Sequence, residues 1–107
     1  MSGQHNASDL LLLIAFRHSI TEPNVEAGFE RLNAIAAGKL ESHAFHDALA
    51  ACLRDGLIRE PVRLPENSLQ CYWQLELTPK GVEAVRAMTR AHAVSVDQLL
   101  DHLLQRA

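Results

Sequence analysis

The spacing of apolar residues changes near the middle of the chain, from a helical repeat to strict alternation, and this change limits the folds that the sequence can adopt. Residues 42–55 carry apolar side chains at helical spacing, whereas every second residue from Leu69 to Leu77 is apolar. Strict alternation predicts a strand with one buried face, and the turn "PENS" at residues 65–68 pairs it with an earlier strand. A hairpin over residues 57–77, between two helices, is therefore the central feature of the expected fold.

Two helices are expected before this region. Ser8 is expected to cap the first, which carries the apolar run "LLLLIAF" at residues 10–16 and then Ile20. This helix is apolar nearly all round, so it is either the central helix of the domain or partly a subunit interface. Asn24 is expected to cap the second helix, and Gly38 to end it.

Residues 42–55 are expected to form a third helix with one apolar and one polar face. Ser42 is its expected N-cap, and Gly56 ends it. The apolar side carries Phe45, Leu49, Cys52 and Leu53, and the polar side carries His43, Asp47, Ala50 and Arg54, with His46 at its margin.

Two further helices are expected after the hairpin. Thr78 and Pro79 have the residue types of a cap and a first helical position, and Ser95 and Gln98 have capping-box spacing. The last helix, residues 96–107, carries a narrow stripe of Leu99, Leu100, Leu103 and Leu104. This stripe either folds back on the first helix or pairs with a second copy, and we expect a homodimer because exposed leucines would otherwise form an apolar patch.

The bulk properties predict one soluble domain over residues 1–107. The apolar run at residues 10–16 is too short to span a bilayer, and no signal peptide is recognisable, so we expect a cytoplasmic protein without membrane contact. Two cysteines, Cys52 and Cys71, are few for a secreted scaffold, and both are expected to be small core residues.

The hairpin sequence resembles a known family. Leu53 with "DGLI" at residues 55–58, followed by "LELTPKG" at residues 75–81, is similar to the wing region of MarR-like and PadR-like transcriptional regulators. The element order is also that of a winged helix-turn-helix. The resemblance implies a mainly α fold with a small β-hairpin, a winged helix-turn-helix with an additional C-terminal helix.

The same resemblance implies a DNA-binding transcriptional regulator that reads duplex DNA with helix 42–55 and wing 57–77. The implied contacts come from the polar side of that helix and from nearby cations. Lys39, Arg59 and Arg63 would hold phosphates, and His43 and His46 would lie near bases. Ser42 and Arg54, on the same helix, are further DNA-binding residues.

Charge favours an alternative, in which the same surface is a protein–protein interaction module without DNA binding. The formal net charge is −3, and residues 39–63 contain four basic and four acidic side chains. Nucleic-acid binders usually gain most of their affinity from Lys and Arg that neutralise phosphates. The wing turn "PENS" carries no cation.

Catalytic chemistry is not predicted. No Gly-rich phosphate loop, "GxSxG" motif or paired-carboxylate motif is present, so we expect no enzyme and no cofactor. His43, His46 and Asp47 have a spacing that can bring two imidazoles near one metal ion. The same spacing arises on any polar helix face, and we predict no metal site.

Overall fold

Five helices and three short strands form the described part of this computed structural model, which covers residues 2–66 and 69–106. Side chains are described for residues 7–66 and 69–105. The chain is mainly helical with a small antiparallel sheet, as the sequence predicts. In chain order the elements are α1 (Ser2–Arg17), β1 (Ile20–Glu22), α2 (Val25–Ile35), α3 (Ser42–Arg54), β2 (Val62–Arg63), β3 (Tyr72–Leu75), α4 (Pro79–His92) and α5 (Val96–Arg106).

α1 is the central helix of the domain. Residues 10–14 are each at most 4% exposed, although they project around the whole helix circumference. α3, α5, α4 and α2 all pack against it. Contacts within one copy of the chain therefore explain residues 10–14 of the apolar run, as expected for the central helix of the domain, whereas Phe16 at its end is 39% exposed.

Local capping signals place three helix starts correctly. The side chain of Asn24 accepts a hydrogen bond from the Ala27 amide, and that of Thr78 accepts one from the Gly81 amide. The main-chain amide of Ser95 donates to Gln98 Oε1 at 3.0 Å, and the Gln98 amide donates to Ser95 Oγ at 3.2 Å. These reciprocal bonds are the capping box that the sequence predicts.

Two other predicted caps are wrong. α1 begins at Ser2, so Ser8 lies inside the helix and not at its start. α3 has Glu41 as its N-cap residue, without a side-chain hydrogen bond, and Ser42 is the first helical residue. Ser8 lies in the second turn of α1 and Ser42 one residue past the N-cap, so the residue type alone does not fix where a helix begins.

The sheet contains one strand more than the predicted hairpin. Its order is β1-β3-β2, with both pairings antiparallel, and Ile20 lies opposite Leu75 while Val62 lies opposite Trp73. Ile20 thus belongs to β1 and does not extend the first helix as expected. Its side chain is fully buried, so a strand satisfies its hydrophobicity as well as a helix would.

Trp73 joins the sheet to the helices. Its indole is buried and lies 6.2 Å, centroid to centroid, from the ring of Phe45 on α3. A Cβ built on Gly28 of α2 would collide with the six-membered ring of Trp73. α2 therefore approaches the sheet this closely only because residue 28 has no side chain.

α5 lies along α1 and is tied at both ends. Arg17 Nε donates to Asp97 Oδ1 at 2.8 Å, and this hydrogen bond holds the pKa of the Asp97 carboxyl below its usual value. Lys39 Nζ donates to the main-chain oxygen of Leu104 at 2.6 Å. α5 is thus held to the end of α1 and to the turn before α3. Among the described residues, no helix is both long and apolar enough to cross a membrane.

Candidate functional site

The polar face of α3 is open to solvent along its length. Ser42, His43, His46, Asp47, Ala50 and Arg54 are all exposed. The opposite face buries Phe45, Ala48, Leu49 and Cys52. The division of the helix into two faces is as predicted, except that Leu53, expected on the apolar side, is 36% exposed.

The four cations predicted to contact DNA each have a partner within the chain. Arg54 Nε lies 3.5 Å from Asp55 Oδ1. Arg59 and Arg63 share Glu76, at 3.6 Å and 3.0 Å from its carboxylate oxygens. Arg63 Nε also donates to the main-chain oxygen of Glu60 at 2.7 Å. Lys39, the fourth, donates to Leu104 at the end of α5.

The two histidines predicted to lie near bases have different surroundings. His43 Nε2 lies 3.5 Å from Asp47 Oδ2, one helical turn further along α3. The rings of His46 and Phe45 meet in an edge-type contact, with centroids 5.0 Å apart and planes at 65°. Within the described residues, no three His, Cys, Asp or Glu side chains are arranged to hold a metal ion.

A groove of about 210 Å³ separates the first half of α2 from the start of α3. Ser42 and His46, two of the predicted DNA-contacting residues, line one wall. The other wall comes from α2, whose residues the sequence does not connect with α3. The complete lining is Val25, Glu26, Phe29, Glu30, Ser42 and His46, and we call it the α2–α3 groove. The sequence does contain a signal for this wall: two glutamates four residues apart, with Phe29 between them, lie on one side of a helix.

A second hollow, of about 310 Å³, lies between α1 and α3. Its charged residues, Asp47 and Arg54, have opposite signs, and its apolar contacts come from alanines. It combines neither a net charge nor a large apolar surface that would select a ligand class.

The β2–β3 hairpin exposes three large apolar side chains. Val62, Leu64 and Leu69 are 54%, 64% and 102% exposed, and we call them the hairpin strip. The sequence expects all three on the buried face. The face is assigned correctly for Val62, which lies directly opposite the buried Trp73, and Leu64 follows two residues later on the same side. Val62 lies on the edge strand β2, and Leu64 and Leu69 lie just outside the paired residues of β2 and β3, so all three side chains face solvent.

The two cysteines also differ from expectation. Cys52 is buried as predicted, and burial, together with the nearby Asp55 and Asp9, raises the pKa of its thiol to about 11. Cys71 is exposed, so its predicted place in the core is wrong. It lies on the same uncovered part of the hairpin as Leu69.

The leucines assigned to a dimer interface divide into two pairs. Leu99 and Leu100 are 2% and 8% exposed and belong to the core of a single copy. Leu103 and Leu104 are partly buried and pack against that core. The stripe therefore folds back on α1, the first alternative of the sequence analysis, and it leaves Leu103 and Leu104 partly accessible. The homodimer itself stays a prediction.

Comparisons with protein-family models, with curated proteins and with solved structures gave no match to this chain.

Proposed function

We propose that this chain is a winged-helix protein that binds a partner protein through the hairpin and the adjoining surface of α3. The observation that carries the proposal is the hairpin strip, in which three large apolar side chains face solvent. Burying one such side chain against a partner yields roughly 1.5–3 kcal/mol. Apolar side chains grouped on one hairpin favour protein contact over nucleic-acid contact.

The order of the elements supports the winged-helix class. α1, β1, α2, α3, β2 and β3 follow one another as in a winged helix-turn-helix, and β3 lies in the middle of the sheet. In this class the hairpin is the wing and α3 is the helix that faces the partner. A fold class does not by itself select DNA or protein, so the charge of the surface has to decide.

Acidic groups at the start of α3 argue against phosphate contact. Glu26 and Glu30 lie across the α2–α3 groove from Ser42 and His46, and Asp47 follows on α3. The ion pairs of Arg59 and Arg63 are a weaker obstacle, because exposed pairs contribute only about 0–1 kcal/mol and open easily. The exposed carboxylates of Glu26, Glu30 and Asp47 would repel DNA phosphates wherever those arginines point.

The edge of β2 is not the contact surface in this proposal. Pro61 and Pro65 flank the outer strand, and neither has an amide hydrogen to offer to an added strand. The partner is therefore expected to cover the apolar face of the hairpin and not to extend the sheet.

Photocrosslinking tests the proposal at defined positions. A benzophenone amino acid replaces Leu69 in one variant and the exposed Ala91 of α4 in a control. We expect one protein to crosslink from position 69 in the cell of origin, and not from position 91. The purified partner should then bind the chain at least about tenfold more weakly after Leu64→Ser, if one buried leucine is lost. Crosslinks from position 69 to nucleic acid, or an unchanged affinity of Leu64→Ser, would reject the proposal.

DNA binding is the second candidate function, favoured by one observation: the whole polar face of α3 is solvent-exposed. Titration with nonspecific duplex DNA at low salt, followed by NMR shifts, tests it. Shifts confined to residues 39–63 that vanish as salt rises would support it. The absence of shifts at low salt would exclude it and leave the protein-contact proposal standing.

A further inference from the structure

Two carboxylates at the rim of the α2–α3 groove have no cationic side chain paired with them in the described part of the chain. Glu26 and Glu30 are both exposed, and neither has a hydrogen-bond or ion-pair partner among the described residues. Other acids of the chain do have cations, as in the pairs Glu22–Arg31 and Glu83–Arg90. Spaced by one helical turn, Glu26 and Glu30 project from the same side of α2 and repel each other. A cation placed between them would remove this repulsion.

The floor of the groove is apolar and aromatic. Val25 and Phe29 are half-buried, and the Phe29 ring packs on the Phe45 ring with centroids 5.1 Å apart. Because Phe45 is fully buried, Phe29 has a fixed support beneath it. A floor of this kind suits the aliphatic stem of a long side chain, and an aromatic ring also attracts a cation.

The size of the groove limits the ligand. Its volume of about 210 Å³ is below the roughly 300–1,000 Å³ of pockets for drug-sized molecules, and it is open to solvent. It therefore suits one long side chain presented by a larger partner. Arginine fits better than lysine, because its planar guanidinium stacks on aromatic rings and donates to two carboxylates at once.

We propose that the α2–α3 groove receives an arginine side chain from a basic segment of the partner protein. The stem lies on Val25 and Phe29, and the guanidinium binds Glu26 and Glu30. This inference rests on the proposed protein-contact function and specifies the chemistry of the partner. A DNA phosphate cannot replace the guanidinium, since it carries the same sign of charge as the rim.

A peptide titration tests this directly. The probes are a short acetylated and amidated peptide of alternating leucine and arginine, and a matched peptide with citrulline in place of arginine. We expect the arginine peptide to shift the amide signals of Phe29, Ser42 and His46, and the citrulline peptide to leave them unchanged. Raising the salt concentration should weaken the binding of the arginine peptide.

Charge-neutral variants supply the controls. Glu26→Gln/Glu30→Gln should weaken the arginine peptide about tenfold, as expected for two lost charge contacts. Glu83→Gln/Asp101→Asn removes the same charge from α4 and α5 and should leave the affinity unchanged. Equal binding of the citrulline peptide, or an unchanged affinity of the groove variant, would overturn the proposal. So would groove shifts caused by duplex DNA, or by raising the concentration of the protein alone, which would indicate a second copy.

The crosslinking experiment distinguishes failure of the groove proposal from failure of the protein-contact proposal. If the partner still crosslinks from position 69 while Glu26→Gln/Glu30→Gln binds the arginine peptide normally, only the groove proposal fails. If neither the crosslink nor the peptide shifts are observed, the protein-contact function fails with it.

Discussion

The two thiols of the chain lie in opposite environments, and this difference has a chemical consequence. Cys71 is exposed, whereas Cys52 is buried with its thiol pKa raised to about 11. Because the thiolate is the reactive form, we expect Cys71 to react with a disulfide reagent at pH 8 within minutes and Cys52 to react only after unfolding. The measurement is the number of thiols titrated with and without denaturant. Two fast thiols in the native protein would contradict the buried position of Cys52, and the Cys71→Ser variant identifies which thiol reacts.

The same raised pKa makes stability fall at alkaline pH. In the unfolded chain the Cys52 thiol ionises near its ordinary value of 9.0, whereas in the folded chain it stays protonated to about 11. The unfolded state therefore binds fewer protons than the folded state above pH 9, and the contribution of this thiol to stability is lost as the pH rises from 9 to 11. Cys52→Ala should have a flatter stability profile over that range.

Gly28 is the residue at which one added methyl group should be most informative. Ala would improve the intrinsic helix propensity of α2 by about 1 kcal/mol. Its Cβ would collide with the Trp73 ring, however, and overpacking typically costs about 1–3 kcal/mol. We expect Gly28→Ala to lower the free energy of unfolding, as measured in urea, and to shift the emission of Trp73, the single tryptophan of the chain.

Ala34→Gly is the matched control for this substitution. Ala34 is exposed on the same helix, so its replacement should cost at most about 1 kcal/mol through helix propensity. The Trp73 emission should not change. A Gly28→Ala variant that is more stable than the parent, with unchanged emission, would show that α2 does not pack closely on Trp73.

Three helices in the described part of the chain end in the same backbone motif, and of these three only α3 has glycine at the first left-handed position. Gly56, Ala37 and Ala93 have φ values of 72°, 56° and 55°. In each case the next amide reaches back five residues to a carbonyl of the last turn, as in a Schellman motif. The amide of Gly38 donates to the carbonyl oxygen of Asn33, that of Leu57 to Cys52, and that of Val94 to Thr89.

This comparison predicts opposite effects of opposite substitutions. Ala37→Gly and Ala93→Gly should each raise the free energy of unfolding by about 0.5–1 kcal/mol, because glycine accepts a positive φ without the Cβ penalty. Gly56→Ala should lower it by a similar amount, and its Cβ would meet no atom within 4 Å, so the effect comes from the backbone alone. Chemical denaturation of the three variants is the measurement. A destabilised Ala37→Gly variant would mean that α2 ends differently.

The sequence predicted the helices better than the strands, for a physical reason. A cap such as Thr78 or the Ser95–Gln98 pair is completed within four residues, so local sequence contains the whole signal. β1 has three residues and is formed only by pairing with β3, more than fifty positions later. Nothing local distinguishes Ile20 in that strand from Ile20 at the end of a helix.

Alternation in the hairpin had a similar limit at the scale of the whole molecule. The alternating pattern identifies which residues of the hairpin face inward. It does not show which of them are buried, because that depends on packing against helices distant in the sequence. Trp73 is buried against Gly28 of α2 and Phe45 of α3, whereas Leu64 and Leu69 are exposed. For the candidate site, the sequence supplied the exposed residues of α3. It could not supply the acidic wall from α2, nor the pairing of both Arg59 and Arg63 with Glu76.

That shared carboxylate gives a direct test of how charge limits DNA binding by the whole surface. Glu76→Gln would remove the negative charge that neutralises two guanidinium groups and change the formal net charge from −3 to −2. We expect the parent chain to bind a short nonspecific duplex barely at all, and Glu76→Gln to bind it severalfold more tightly at low salt. If both arginines reach phosphates, the dependence of log K on log salt should steepen by about 0.9 per contact. Fluorescence anisotropy of a labelled duplex over a range of salt concentrations measures both quantities.

Glu83→Gln, which releases Arg90 on α4 with the same change of net charge, is the control and should not alter the slope. If the affinity of the parent chain for the duplex depended on salt as steeply as that of Glu76→Gln, neither these ion pairs nor the acidic wall would exclude phosphates. That result would favour the DNA-binding candidate over the protein-contact proposal.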